Sequence, residues 1–224
     1  MENILYCFWT GSNQMSANRQ RCFDTMYKSN CAVKLINVNN IYDYIKKEYP
    51  FHSAYEYLSL THKSDYLRCY FMHHYGGGYS DVKEIIKPWD QSFKDLDNSD
   101  ALINGYPEVS PLAVANVKGP LYKELQNNYK KLIGCGSFIC KPYSKFTFDW
   151  INQLHAKLDD YYLLLKNNPA KHPRDVPGML INNQRSNYPI EWTAILGNIF
   201  HPLCLKYSSY ILQTVPPCLF VSYQ

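Results

Sequence analysis

The sequence predicts an α/β fold in which a mostly parallel sheet is flanked by helices, within a single domain covering residues 1–224. Short apolar runs, typical of buried strands, alternate along the chain with amphipathic helical segments. The first 40 residues follow a strand–helix–strand order, which favours parallel strands joined by helical crossovers. The chain has no repeat, low-complexity tract or clear linker, and 224 residues suit one large domain.

The strands are predicted from short runs rich in apolar and β-branched residues that end in glycine, proline or charged positions. The run ILYCFWT is the first of them, and the segment YSDVKEIIKPW adds charge to the pattern, which indicates an acidic turn within or after a strand. The predicted strands cover 4–10, 32–38, 79–89, 101–107, 111–117 and 136–142.

The helices are predicted from capping residues followed by apolar positions at helical spacing. Ser16 is a typical N-cap, Asn40 begins a short helical stretch, and Ser64 is the predicted N-cap of the clearest helix, which three glycines end. The predicted helices cover 16–27, 62–75, 121–132 and 145–167. A loop rich in Pro, Asn and Arg is expected over 167–188, and a strand or packed tail over 210–223.

Composition excludes several classes of protein. The net charge of +4 is dispersed, so the sequence gives no support for nucleic-acid binding. The chain contains no run of about 18 apolar residues, and its first residues do not form a signal peptide, so we expect a cytoplasmic protein without a transmembrane segment. The eight cysteines show no zinc spacing, and we interpret Cys7, Cys69 and Cys140 as reduced core residues.

The central segment SDYLRCYFMHHYGGGYSDVKE carries the residues that suit diphosphate chemistry. Asp81 follows a glycine-rich turn at the end of a predicted strand, where a carboxylate offers hard oxygen ligands to Mg²⁺ or Mn²⁺. Asp65 and Arg68 lie three residues apart and share one helix face, so that they can hold a ligand together. The alternative is a local ion pair of Asp65 with Arg68, favoured by the helix dipole.

This segment resembles the signature of family 32 glycosyltransferases, the capsular-polysaccharide group whose sugar-binding region contains a DXD motif. The matching residues are Ser64, Asp65, Arg68, Gly77, Gly78, Tyr79 and Asp81, with Gly76 and Gly77 as the shifted alternative for the glycine pair. The resemblance implies a GT-A fold with a mixed, mostly parallel sheet. It also implies that Trp9, at the end of the first predicted strand and followed by Thr10 and Gly11, stacks on the donor base. A core tryptophan is the alternative for Trp9.

The chain departs from this family where the second acid of the motif is replaced by Lys83. Two arrangements follow. We expect Lys83 to turn to solvent, while Asp81, His201 and donor oxygens hold Mn²⁺ or Mg²⁺. In the alternative, the lysine ammonium takes the place of the metal cation.

The resemblance thus implies an enzyme that moves a sugar from a UDP- or GDP-sugar to a hydroxyl of a glycan or glycoconjugate and retains the configuration of the sugar. Asp81, Lys83 and Glu191 are the candidate catalytic residues, and Trp192 is a further candidate for donor binding. A non-catalytic nucleotide-sugar or glycan binder and a nucleotidyltransferase are the rival interpretations; the second normally needs two or more acids that converge on its metals.

Overall fold

In the computed structural model, which describes residues 2–221, a six-stranded sheet separates two layers of helices. The strands are β1 (Ile4–Trp9), β2 (Ala32–Asn37), β3 (Gly77–Ser80), β4 (Ile103–Pro107), β5 (Ile133–Cys140) and β8 (Ile211–Leu212), in the order β2-β1-β3-β5-β4-β8. The helices are α1 (Ala17–Thr25), α2 (Leu60–His74), α3 (Asp90–Asp97), α4 (Pro120–Asn127), α5 (Lys145–Asn167) and α6 (Gly197–Lys206). The short strands β6 (Leu180–Ile181) and β7 (Gln184–Arg185) form a separate hairpin.

The sheet is mixed, as predicted. β1 pairs in parallel with β2 and β3, and β4 pairs in parallel with β8, whereas β5 runs antiparallel to both β3 and β4. Because β3 and β4 are both antiparallel to β5, they point the same way as β1. The carboxyl ends of β1, β3 and β4 therefore meet at one edge of the sheet, where ligands bind in open α/β folds.

The alternation of side chains along β1 divides the core between the two faces of the sheet. Tyr6 and Phe8 pack in a core that includes apolar residues of α2, α5 and α6, whereas Leu5 and Cys7 pack with residues of α1 and α3 on the other face. Cys7, Cys69 and Cys140 are buried free thiols, as predicted. No helix among residues 2–221 is long and apolar enough to cross a lipid bilayer.

Most predicted elements are confirmed, and α5 has the predicted bounds, with Ser144 as its N-cap. The prediction of Ser64 as the N-cap of α2 is wrong: Ser59 caps this helix by accepting from the backbone N–H of His62, so Ser64 lies inside it. The predicted loop over 167–188 contains the β6–β7 hairpin.

Two of the predicted strands differ from the structure. The segment 111–117 is irregular, although its valines are buried, because local apolar content does not separate a strand from a packed loop. β3 begins within the three glycines and ends at Ser80, so that Asp81 lies just beyond the sheet rather than inside a long strand. Of the predicted carboxyl-terminal segment, only β8 is a strand, and residues 222 and 223 lie outside the described residues.

Candidate functional site

The strand ends at the shared sheet edge bring together side chains that are distant in the sequence. Trp9 is the last residue of β1, Asp81 directly follows β3, and Glu108 directly follows β4. Cys135 lies near the start of the antiparallel strand β5, which is at the same edge. The backbone N–H of Asp81 donates to the carbonyl of Gly136 at 2.8 Å, which fixes the start of the Asp81 turn against β5.

Asp81 is held between two cationic side chains. Its Oδ2 accepts from Lys83 Nζ at 2.6 Å, and its Oδ1 lies 3.1 Å from Arg68 Nη2 and accepts from the Tyr79 hydroxyl at 2.6 Å. Burial favours the neutral acid, but Arg68 and Lys83 together keep the pKa of Asp81 below its ordinary value. The carboxylate is therefore ionised and already paired.

Arg68 is the centre of this cluster. It projects from α2, lies 9% exposed, and its guanidinium stands 4.7 Å above the centroid of the Tyr79 ring. Its Nη1 donates to the carbonyl of Cys135 at 3.2 Å, and its Nη2 lies 3.5 Å from Asp65 Oδ1, one turn earlier on the helix. The predicted Asp65–Arg68 pair thus forms, but it is buried and extends to Asp81 rather than standing alone on a helix surface.

The prediction that Lys83 turns to solvent is wrong. The backbone N–H of Lys83 donates to the carbonyl of Asp81 at 2.7 Å, and this tight turn folds the side chain back onto its neighbour. The side chain is 9% exposed, and its ammonium lies 3.6 Å from the centroid of the Phe220 ring. Residues near the carboxyl end, which no local pattern links to Lys83, therefore help to fix its orientation.

Two cavities meet at this cluster. The less open of the two, called the enclosed cavity below, has a volume of about 640 Å³ and extends from Asp65 past Glu108 and Cys135 to α6. The more open cavity has a volume of about 450 Å³ and extends to the end of β1. Five residues line both cavities and therefore lie where the two meet: Thr61, Arg68, Asp81, Lys83 and Trp192.

The open cavity collects most of the residues predicted for donor binding. Trp9, Thr10, Gly11 and Tyr79 line it, and Trp9 is fixed by donation from its Nε1 to the carbonyl of Asn13 at 2.7 Å. The Trp9 ring is partly buried: it packs against the core on one side and borders this cavity. Arg19 and Arg174 add positive charge to the wall of this cavity.

Three predicted residues lie elsewhere. Gly77 and Gly78 belong to β3, and neither lines the two cavities. A Cβ on Gly77 would lie 3.0 Å from the carbonyl oxygen of Ile4, and one on Gly78 would lie 3.2 Å from the Trp89 ring. These glycines permit close packing in the sheet. Glu191 is exposed and lines neither cavity.

Glu108 was not predicted from the sequence, yet it is buried in the wall of the enclosed cavity beside His201. His201 Nδ1 accepts from the backbone N–H of Ala115 at 2.9 Å, so the proton of the neutral imidazole is on Nε2. Nε2 lies 3.4 Å from Glu108 Oε2 and 3.7 Å from Cys135 Sγ. One feature of the sequence could have indicated Glu108: like Asp81, it is an acid that directly follows a strand.

The residues present do not fit the predicted divalent metal. Both oxygens of Asp81 are engaged, two of their three partners are cations, and neither ring nitrogen of His201 directs a lone pair toward Asp81. Within residues 2–221, no three His, Cys, Asp or Glu side chains are grouped as they would be to hold a metal ion. A metal ion held by Asp81 and His201 stays a prediction that this geometry does not favour.

Comparison with known proteins gives one family match. Residues 1–95 match the model of a family described as capsular polysaccharide synthesis protein. Among solved structures, the chain is similar to one titled PaToxG Glycosyltransferase, with a TM-score of 0.43 and 11% sequence identity over 73% of this chain and 64% of that chain. The chain thus spans less than two thirds of that structure. No curated protein matches the sequence.

The matched residues include β1, α2, β3 and the turn from Asp81 to Lys83, which is the region on which the sequence resemblance depends. The predicted relationship is confirmed there. Residues 1–95 of the chain are therefore similar to the capsular polysaccharide synthesis proteins.

Proposed function

We propose that the protein transfers a sugar from a nucleotide-diphosphate sugar, a UDP- or GDP-sugar, to a hydroxyl of a glycan or glycoconjugate. The observation that carries this proposal is the pair of cavities joined at the Arg68–Asp81–Lys83 cluster. A nucleotide-sugar needs an aromatic surface for its base, cations for its diphosphate and a separate space for its sugar. The two cavities offer these features in that order.

In this arrangement the base stacks on Trp9 in the open cavity, and the diphosphate lies against Arg68 and Lys83 where the cavities meet. Arg174, in the loop before the hairpin, adds a further cation on the nucleotide side. The sugar occupies the enclosed cavity, whose wall includes the buried carboxylates of Asp65 and Glu108. Carboxylate oxygens accept hydrogen bonds from sugar hydroxyls, which orients the reacting carbon.

The transfer step needs charge stabilisation more than a strong nucleophile. The bond between the anomeric carbon and the diphosphate oxygen breaks, and its electron pair leaves with the diphosphate. The acceptor oxygen forms the new bond to that carbon, and its proton passes to the departing diphosphate, as expected for a retaining transfer on one face of the sugar. Arg68 and Lys83, whose side chains are largely buried, stabilise the developing negative charge.

The acceptor enters the enclosed cavity past a partly apolar mouth. Trp192 is 52% exposed, Phe220 is 54% exposed and Val109 is 74% exposed, and all three line this cavity. Aromatic side chains with exposed faces suit the apolar faces of sugar rings, so these residues support a glycan acceptor rather than a small polar one.

The proposal is tested by screening UDP- and GDP-sugars in thermal unfolding experiments. At about 100 times the dissociation constant, a bound donor stabilises by roughly 2.7 kcal/mol, or about 5–10 °C in Tm for a protein of this size. Slow donor hydrolysis or transfer to added glycans must accompany binding. Binding without any turnover would favour the non-catalytic alternative, and no stabilisation by any nucleotide-sugar would contradict the proposal.

Replacing Trp9 with alanine is expected to weaken nucleotide affinity more than it lowers kcat, since stacking on the base acts equally in the ground and transition states. Loss of one stacking ring costs about 1–3 kcal/mol, roughly a 5- to 150-fold rise in Kd. Calorimetric titration of UDP and GDP measures the effect, with Tyr42→Ala, an exposed aromatic that lines neither of the two cavities, as the control. Unchanged affinity in a folded Trp9→Ala protein would remove Trp9 from the base site.

Donor affinity is expected to fall severalfold between about pH 6 and about pH 8. Burial raises the pKa of Asp65 to about 7, although Arg68 opposes the shift. Asp65 is therefore mostly neutral at the lower pH and mostly ionised at the higher, where its negative charge repels the diphosphate. A nucleotide-sugar is the suitable ligand because its diphosphate does not titrate in this range. The Asp65→Asn protein should show no such slope, and affinity that rises with pH would show that hydrogen bonds from donor hydroxyls to ionised Asp65 outweigh the repulsion.

A further inference from the structure

Two residues after Asp81, position 83 is occupied by an ammonium group whose place is fixed. Lys83 Nζ is 2.6 Å from Asp81 Oδ2 and 3.6 Å from the centroid of the Phe220 ring, and the backbone turn from Asp81 to Lys83 holds the side chain in this direction. With 9% of the side chain exposed, the lysine is not a solvated surface residue.

The charges around Asp81 are already arranged to receive an anion. Arg68 and Lys83 bring two positive charges to one carboxylate, and both line the open and the enclosed cavities. A divalent cation placed on Asp81 would meet both of these cations at close range, because each lies within 3.1 Å of a carboxylate oxygen. A diphosphate placed at the same point would meet two cationic hydrogen-bond donors instead.

We propose that Lys83, acting with Arg68, is the cation that binds the donor diphosphate and stabilises it as it leaves, so that the protein binds and uses its donor without a divalent metal ion. This inference rests on the proposed function. Asp81 then has a different task from that of a metal ligand: it orients the lysine and the arginine and balances their charge while the site is empty of donor.

The test measures binding of inorganic pyrophosphate, UDP and GDP by calorimetry, each in EDTA and each with added Mn²⁺. Pyrophosphate probes the diphosphate position alone, which separates this inference from the identity of the nucleotide. In the wild-type protein we expect the Kd for pyrophosphate to differ less than about threefold between EDTA and Mn²⁺. Lys83→Met should weaken it at least tenfold in both conditions, and Lys83→Arg should keep it within a few fold.

Three further variants complete the experiment. Lys87→Met removes an exposed lysine that lines neither cavity and should bind like the wild type. Lys83→Asp places a second acid beside Asp81 and should bind pyrophosphate only with Mn²⁺. If Lys83→Met fails to fold, the double variant Lys83→Met with Asp81→Asn is measured instead. It removes both members of the ion pair, so that no carboxylate of the pair is left unpaired. It should still lose pyrophosphate binding.

Two outcomes would overturn the inference. One is wild-type pyrophosphate binding that appears only with Mn²⁺ and survives in Lys83→Met, because a metal would then be the cation. The other is no binding of pyrophosphate by the wild type in EDTA. By contrast, pyrophosphate binding that depends on Lys83, without binding of any nucleotide or nucleotide-sugar, would support the inference and contradict only the proposed donor.

Discussion

Replacing Arg68 with alanine is expected to destabilise the protein by about 3–5 kcal/mol, because the change removes one cation of a buried ion cluster and leaves Asp65 without its cationic partner. The loss leaves Asp65 and Asp81 without their shared cation, uncovers the Tyr79 ring and removes the donor to the Cys135 carbonyl. Thermal unfolding should show a Tm lower by about 6–20 °C. Sugar transfer should fall below detection even at temperatures where the variant is folded.

Two comparisons make the Arg68 result specific. Arg185→Ala removes an exposed arginine of the β6–β7 hairpin and should change stability by less than about 0.5 kcal/mol. Adding Asp65→Asn to Arg68→Ala should recover part of the lost stability, because the second change removes a carboxylate that the first left unpaired. Additive effects in this double-mutant cycle, with transfer within a few fold of the wild type, would show that the two side chains do not act together.

Replacing Asp81 with asparagine is expected to lower the rate of sugar transfer by roughly a hundredfold or more, a typical cost when one charged or polar group of a preorganised site is lost. Asparagine keeps the size of the side chain but cannot balance Lys83 and Arg68, which then repel each other and lose their common anchor. Because Asp81 compensates two buried cations, the variant should also lose stability, unlike a carboxylate on the protein surface.

The affinity of the Asp81→Asn protein for pyrophosphate in EDTA distinguishes two roles for this residue. If Asp81 balances the two cations, affinity should stay the same or increase, since a competing negative charge is gone. If Asp81 holds a metal, addition of Mn²⁺ should strengthen binding in the wild type and have no such effect in the variant. Asp160→Asn, on the exposed face of α5, is the matched control and should resemble the wild type in both assays.

The parts of the fold that local sequence determines were predictable. α5 combines a Ser N-cap with apolar positions at helical spacing over 23 residues, and its predicted bounds agree with the structure. β1 is a continuous apolar run of the kind that parallel strands require, and the edge strand β2 is an apolar run interrupted by Lys34. The start of α2 was not predictable from capping residues alone, because both Ser59 and Ser64 suit an N-cap. In the structure Ser59 takes this position, and its backbone N–H donates to the hydroxyl of Tyr188, which is distant in the sequence.

The candidate site was predictable only where one short segment carries it. Asp65, Arg68 and Asp81 fall within 17 consecutive positions, and the structure brings them together with the helix and strand that the sequence indicates. Glu108 and His201 are 93 positions apart and meet only through the packing of α6 against the sheet edge. The orientation of Lys83 depends in the same way on Phe220, so no local pattern could reveal it.

The position of Cys135 gives this protein a chemical reporter of its own. Of the eight cysteines, all free, only Cys31 and Cys135 are partly exposed, and only Cys135 lines one of the two cavities. Burial raises the pKa of both thiols, so each reacts slowly with alkylating reagents near neutral pH. An occupant of the enclosed cavity shields Cys135 and leaves Cys31 open to the reagent. The ratio of label on these two thiols, read by mass spectrometry, thus follows occupancy of the cavity without any engineered probe.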